Sequence, residues 1–133
     1  MNIGGKMDKI LTEISAGELF DKITILEIKK AKISNKEKLI DINRELSSLN
    51  ETVKKFIPNQ SIISKYINDL KNINLKLWNI ENEKRAAEKN KIFDEKFIEL
   101  ARNVYKFNDE RAKIKLAINN SLGSNIKEVK SYE

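Results

Sequence analysis

The chain has 133 residues and a formal net charge of +6, from 26 basic and 20 acidic side chains, and it contains neither cysteine nor histidine. This length fits one domain with a modest core. The missing residue types exclude disulfides, cysteine–histidine zinc sites and catalysis by a serine–histidine or cysteine–histidine pair. A metal would have to be a hard cation held by carboxylates and carbonyls, and we predict neither a metal nor a cofactor.

The distribution of apolar and basic residues predicts where the chain acts. No apolar run approaches the ~20 residues of a membrane span, and residues 1–9 lack the apolar core of a signal peptide. We therefore expect a cytoplasmic protein. The positive charge is compatible with an anionic metabolite, anionic lipid or nucleic acid. Nucleic acid is not the expected partner, because lysine far outnumbers arginine and the basic residues are mixed with acidic ones.

The first half of the chain predicts two helices joined by a tight turn. Apolar spacing is helical nearly throughout, and glycine and proline are rare, so the class is all-α. Ser15 and Glu18 form a capping box that starts a helix over Ala16–Ile33. Ser34 and Glu37 repeat this signal and start the second helix, whose apolar arc contains no charge.

The second half predicts two longer helices. Pro58 ends the second helix, because proline removes a donor and disfavours helix in the residue before it. The third helix is expected over Ser61–Lys89 and is followed by a loop over Asn90–Phe93. Asp94 is the expected N-cap of the fourth helix, and Gly123 its C-terminal glycine cap.

Two antiparallel hairpins of this kind predict a four-helix bundle, a single helical domain over 1–133 with short extended termini. We expect residues 1–14 to form an extended or flexible start and residues 124–133 an extended tail, and we hypothesise that 9–14 pairs with the tail. The third and fourth helices, up to ~40 Å long, outrun the first pair. This overhang predicts a homodimer.

The fourth helix carries a polar stripe on a face that should be apolar. Asn108, Arg111, Lys115 and Asn119 share the face that its apolar residues mark. Cations inside a packed seam are costly unless an anion meets them. That anion is either an internal partner or a ligand, and the functional question depends on which.

Further charges point inward when residues are placed at 100° steps. Together with the two cations of the fourth helix, the inward charges are Glu27, Lys30, Glu81, Lys84, Glu88, Arg111 and Lys115. We hypothesise that they converge at one end of the bundle, as a balanced salt-bridge network or as a polar pocket in which Arg111 binds a carboxylate or phosphate. The candidate ligand-binding residues are Glu27, Lys30, Glu81, Lys84, Asn108, Arg111, Lys115 and Asn119. Trp78, the only tryptophan, is expected in the core or at a dimer contact.

Four segments carry distinctive motifs. They are ISAGELFDKITILEIK at 14–29, LWNIE at 77–81, ARNVYKFNDERA at 101–112 and EVKSY at 128–132. Together they resemble an uncharacterised all-helical domain family of bacteria and phages, over nearly the whole chain after Ile14. The resemblance implies a gene context beside glycosyltransferases of envelope polysaccharides and no activity. Its motif positions add Glu18, Asp21, Lys22 and Asp109 to the candidates. The family pattern has aspartate where this chain has Asn82, so no acidic role is assigned to that position.

Three functions compete on this basis. We favour a non-enzymatic binding or assembly module, homodimeric and acting in a surface-polysaccharide pathway, in which the inward charges pair and leave no cavity. The alternative is a small enzyme acting on an anionic metabolite, either mutase-like or a magnesium-dependent nucleotide pyrophosphohydrolase for which Glu18 and Asp21 give one acidic pair. An enzyme requires an open pocket. The second alternative is nucleic-acid binding.

Overall fold

The computed structural model describes residues 7–131, which form four α-helices and no β-strand. The helices are α1 (Ala16–Lys32), α2 (Lys36–Phe56), α3 (Ser64–Asn90) and α4 (Glu95–Leu122). The predicted all-α bundle is therefore confirmed. The first six positions of the predicted extended start and the last two of the predicted tail lie outside the described residues.

Three predicted helix boundaries are confirmed by their capping contacts. The Ser15 hydroxyl accepts a hydrogen bond from the backbone N–H of Glu18 at 3.1 Å, which starts α1. The Asp94 carboxylate accepts from the backbone N–H of Phe97 and starts α4. Gly123 ends α4 with a φ of 62°, in the left-handed region that glycine enters without a Cβ penalty.

Two other boundaries differ from prediction. The cap of α2 is Asn35 and not Ser34: its side-chain oxygen accepts from the backbone N–H of Lys38 at 3.1 Å. Asparagine caps helices as well as serine does, so the two adjacent signals compete. A 3-10 turn at Ser61–Ile63 precedes α3, which therefore begins at Ser64.

Helix α1 is the central element of the bundle. It packs against α2, α3 and α4, while α3 and α4 pack along each other as a long antiparallel pair. Its apolar side chains are buried together with residues from every other helix. The core comprises Leu19, Phe20, Ile23 and Leu26 of α1, Ile42, Leu46 and Val53 of α2, Ile63, Leu70 and Ile73, and Ile118 of α4.

The described parts of the two terminal segments do not pair as strands, so that hypothesis is wrong. Their contact is between side chains: the Asn125 amide donates to both carboxylate oxygens of Glu13 at 3.0 Å. The tail then runs back along α4, where Glu128 contacts Lys115 and Lys130 lies 3.1 Å from Asp109. The tail thereby brings an acidic side chain to the polar stripe.

The helices differ in length. Helix α1 has 17 residues, α3 has 27 and α4 has 28, which correspond to about 26, 40 and 42 Å. The far ends of α3 and α4 therefore extend beyond α1. Within residues 7–131, no helix is both long and apolar enough to cross a membrane.

Candidate functional site

A buried lysine on α4 forms the centre of the first polar cluster. Lys115 is 8% exposed, and its ammonium donates to Glu18 Oε2 at 2.8 Å and to Glu128 Oε2 at 2.6 Å. Asp21 Oδ2 lies 3.8 Å away, one turn further along α1. Three carboxylates thus surround one ammonium, which gives this buried cation its internal anionic partners.

The spacing of Glu18 and Asp21 explains how α1 contributes two of these carboxylates. Residues three apart share a helix face, and this face meets α4 at Lys115. Glu18 and Asp21 were suggested by the sequence as one acidic pair of a magnesium site. In the structure, the ammonium of Lys115 lies beside both of them. Among residues 7–131, no group of three or more potential ligands is arranged to hold a metal ion.

The contacts shift two pKa values in opposite directions. Burial opposes the charge of Lys115, but its hydrogen bonds to Glu128 and Glu18 outweigh this and raise the pKa of Lys115. The hydrogen bond from Lys115 lowers the pKa of the Glu128 carboxyl. The contribution of Glu128 to stability is therefore present above its unfolded-state pKa and is lost as the pH falls through the lowered value. That of Lys115 is lost as the pH rises through its raised value.

We expect Glu128→Gln to lower the free energy of unfolding at pH 7 by roughly 0.5–1 kcal/mol, a surface-pair value because the Glu128 side chain is 56% exposed. The deficit should vanish as the pH falls through the lowered pKa of Glu128, since the wild-type carboxyl is then neutral too. Urea unfolding of both proteins in a series from pH 7 to about 2.5 measures this. Glu45→Gln, exposed on α2, is the control. An equal deficit at both ends of the series would contradict the assignment.

A buried asparagine on α3 connects this cluster to the second cation. Asn74 is 3% exposed, and its amide donates to Asp21 Oδ1 at 2.8 Å and to Thr24 Oγ1 at 3.0 Å. Its carbonyl oxygen accepts from Arg111 Nη1 at 3.1 Å. Asn74 therefore joins α1, α3 and α4, and it fixes the position of Arg111 relative to Asp21.

The Arg111 guanidinium has neutral hydrogen-bond partners only, although its charge helps to lower the pKa of the Glu128 carboxyl. Besides Asn74 it donates, through Nη2, to Asn108 Oδ1 at 2.7 Å. Arg111 is half-buried, and it forms no ion pair with a carboxylate of residues 7–131. The two cations of the stripe thus differ, since Lys115 forms ion pairs with internal carboxylates, whereas Arg111 donates hydrogen bonds only to amides and acts on Glu128 at longer range.

Arg111 lines an open cavity of about 390 Å³ between α1, α3 and α4. Its walls combine apolar side chains from α1 and α3 with polar groups of α3 and α4. The lining residues are Ile25, Ile28, Asn74, Leu77, Trp78, Glu81, Asn82, Arg85 and Arg111. Trp78, expected in the core or at a dimer contact, is half-buried in this wall.

Of the remaining inward charges, Glu81 lines the same cavity as Arg111, whereas the others lie elsewhere on the surface. Glu27 pairs with Lys71 at 3.0 Å, and Glu81 with Lys84 at 3.6 Å on the half-exposed side of α3. Lys30 and Glu88 are exposed. Glu88 lies two turns after Glu81 on α3, which has 27 residues where α1 has 17.

The other candidate residues lie around the Lys115 cluster. Lys22 lies 3.8 Å from Glu18, and Asp109 pairs with Lys130 of the tail. Asn119 is 1% exposed, and its side-chain oxygen accepts the backbone N–H of Gly17 at 2.6 Å, at the start of α1. Asn119 therefore satisfies one of the N–H groups that a helix leaves free at its first turn.

Sequence reasoning missed several residues of this arrangement. Asn74 carries no charge and lies among apolar positions of α3, so charge patterning could not find it. Glu128 could be found only through its motif, and Gly17 only through the GEL motif that contains it. Arg85 lies one turn after Glu81, and a search for arginines near the tryptophan would have singled it out.

Comparison with known proteins gives one family. The model of a family described as a family of unknown function (DUF6165) matches residues 10–133, and the chain belongs to this family. No curated protein and no solved structure matches the chain. The predicted resemblance to an uncharacterised domain family is confirmed.

Proposed function

We propose that this chain is a non-enzymatic helical module that binds a small anion carrying a ring in the cavity between α1, α3 and α4. The observation that carries the proposal is the Arg111 guanidinium, which lines the cavity and has only amide partners among the described residues. A half-buried cation that forms no hydrogen-bonded ion pair with a carboxylate is stabilised by an anionic ligand.

The charges of the cavity favour a carboxylate or phosphate group. A guanidinium has five N–H donors in a planar fork, and the amides of Asn74 and Asn108 take one each at Arg111. The remaining donors can bind an anion in a bidentate manner. Arg85 adds a second cation to the lining, whereas Glu81, the one acid that residues 7–131 contribute there, lies 3.6 Å from Lys84.

The apolar wall favours a ligand with a ring. Ile25, Ile28, Leu77 and Trp78 are part of the cavity lining, and an indole offers a flat surface for an aromatic or sugar ring. The volume of about 390 Å³ lies near the lower end for small-molecule pockets. Because the described part of the chain contributes a single carboxylate to the lining, Glu81, the site suits binding better than acid–base chemistry, which needs a proton donor and acceptor at the reacting atoms.

Trp78 provides a direct test, because it is the only tryptophan and lines the cavity. We expect its fluorescence to change saturably when phenyl phosphate is added, and to change at much higher concentration with inorganic phosphate, which lacks the ring. UDP-glucose is the third probe, since the family resemblance implies a surface-polysaccharide context. Arg111→Met should weaken phenyl phosphate binding at least 10-fold, because hydrogen bonds to a charged group contribute about 1.5–3 kcal/mol.

Arg102→Met, exposed on the same helix, is the matched control and should bind as the wild type does. Arg111→Met is also expected to lower the free energy of unfolding by about 1–2 kcal/mol, since the buried Asn74 oxygen loses its donor. Circular dichroism must therefore show that the variant is folded at the titration temperature. A wild-type protein that gives no saturable response to any probe, or an Arg111→Met variant that binds equally well, would overturn the proposal.

The proposal includes a homodimer. Helices α3 and α4 are longer than α1 by about 15 Å, and within residues 7–131 no third helix covers their far ends. A bundle that leaves part of a helical pair uncovered favours association through that part.

A further inference from the structure

One face of α3 forms a wall of the ligand cavity and presents different chemical groups in a fixed order. The lining residues on this face are Asn74, Trp78, Glu81 and Arg85, at successive steps of four, three and four positions. Asn74 and Arg85 are eleven positions apart, which corresponds to about 17 Å along the helix axis. An amide, an indole, a carboxylate and a guanidinium therefore follow each other along one wall.

The exposure of these residues shows which end of the wall is open. Asn74 is 3% exposed, whereas Arg85 at the other end is exposed. Trp78 and Glu81 between them are half-buried. The Arg111 guanidinium donates to Asn74 and so lies at the buried end. A ligand bound to Arg111 therefore meets Trp78 next and reaches solvent at Arg85.

Arg85 places a cation without an internal partner at the mouth of the cavity. Its guanidinium forms no hydrogen bond and no ion pair with residues 7–131. Glu81 lies one turn before Arg85, a spacing that suits an ion pair on a helix, but its carboxylate lies 3.6 Å from Lys84 instead. The cavity thus has a guanidinium at each end, and neither forms an ion pair within the described part of the chain.

Glu81 provides a hydrogen-bond acceptor between the two guanidinium groups. Its carboxylate accepts no hydrogen bond from residues 7–131, because the Lys84 ammonium lies beyond hydrogen-bond distance. An ionised carboxylate only accepts hydrogen bonds, so a ligand group beside it has to be a donor. A hydroxyl or an ammonium group meets this condition, whereas a further anion there would be repelled.

We propose that the cavity binds an elongated ligand with an anionic group at each end, a ring against Trp78 and a donor group beside Glu81. Arg111 binds the inner anionic group and Arg85 binds the outer one. This inference rests on the proposed function and names the class of its ligand. It also makes Arg85 a specificity-determining residue, which selects ligands with two anionic groups over those with one.

Two phosphate esters that differ by one carboxylate test this assignment. O-phosphotyrosine carries a phosphate, a ring, an ammonium group and a carboxylate in this order, and O-phosphotyramine lacks the carboxylate. Trp78 fluorescence at pH 7 measures both dissociation constants. We expect the wild type to bind O-phosphotyrosine about 5-fold more tightly, the upper range for an exposed charge pair. Arg85→Met should remove this difference and bind O-phosphotyramine as the wild type does.

Glu81→Gln tests the donor group in the middle of the ligand. It should weaken binding of both esters about 3-fold, because each carries an ammonium group beside a half-exposed carboxylate. Phenyl phosphate has no such group, so its binding should not weaken. A Glu81→Gln variant that binds both esters as the wild type does would overturn the donor assignment.

Lys89→Met is the matched control for Arg85→Met, because Lys89 is an exposed cation one turn further along α3. It should keep the 5-fold difference between the esters, and circular dichroism of both variants should match the wild type. Equal binding of the two esters to the wild type, a difference that persists in Arg85→Met, or one that Lys89→Met removes would overturn the ligand class alone. A wild type that binds neither ester nor phenyl phosphate would overturn the proposed function as well.

Discussion

Lys115→Met is expected to lower the free energy of unfolding by about 3 kcal/mol, the largest single effect at the polar stripe. Methionine fills the space of the lysine stem but removes the cation that faces Glu18 and Asp21, whose side chains are 33% and 10% exposed. Asp21 keeps its hydrogen bond from Asn74, and Glu18 is partly open to water, so the loss lies at the lower end for a broken buried ion pair. Urea unfolding at pH 7 measures it, with a melting temperature about 10 °C below wild type.

The control for Lys115→Met is Lys113→Met, which removes the same side chain from an exposed position of the same helix. It should change the free energy of unfolding by less than about 0.5 kcal/mol. The double variant Lys115→Met with Glu18→Gln should recover part of the stability, because the substitution neutralises one stranded carboxylate. If Lys115→Met unfolds like its control, the ammonium does not hold α1 and the tail to α4.

Lys115 and Arg111 lie in different surroundings. The hypothesis of a non-enzymatic module required that the inward charges pair with each other, as Lys115 does. The hypothesis of an enzyme required an open pocket, as found beside Arg111. Lys115 has internal carboxylates on three sides, while Arg111 lines a cavity with amide partners. A stability measurement and a ligand titration therefore test different residues and can succeed or fail separately.

Local chemistry made most of the fold predictable. A capping side chain accepts a hydrogen bond from a backbone N–H two or three residues later, so Ser15 and Asp94 could be assigned from the neighbouring sequence alone. Gly123 could also be assigned locally, because the C-terminal cap of a helix often adopts the left-handed conformation that glycine favours. The error at Ser34 has the same origin, because Ser34 and Asn35 are both good caps and only the packed turn decides between them.

The site was less predictable, because helical spacing shows on which face of the helix a side chain lies and not whether that side chain is buried. Glu81 and Glu88 share the inward side of α3, yet Glu81 is half-buried in the cavity lining, whereas Glu88, two turns further along, is exposed. The partner of Lys115 could not be read from its own helix either. It is supplied by Glu18, 97 positions earlier, and by Glu128 of the tail. Such contacts depend on which helices cross and where, and no local pattern encodes this.

The crossing of α1 and α4 depends on one residue without a side chain. A Cβ placed on Gly17 would lie 2.5 Å from the backbone oxygen of Lys115 and 3.0 Å from Oδ1 of Asn119. The backbone N–H of Gly17 also donates to that Asn119 oxygen at 2.6 Å. Glycine here allows the two helices to approach closely enough for Glu18 and Asp21 to reach Lys115.

We therefore expect Gly17→Ala to lower the free energy of unfolding by about 2–3 kcal/mol, since overpacking and a weakened buried hydrogen bond outweigh the higher helix propensity of alanine. Urea unfolding measures this. The closest contact is to backbone, so adding Asn119→Ala should not restore stability. The displaced helix also carries Asp21 and Thr24, which hold Asn74 and through it Arg111. Phenyl phosphate binding should weaken in the folded variant as well. A Gly17→Ala protein as stable as wild type would show that helix propensity, and not the close approach, decides at this position.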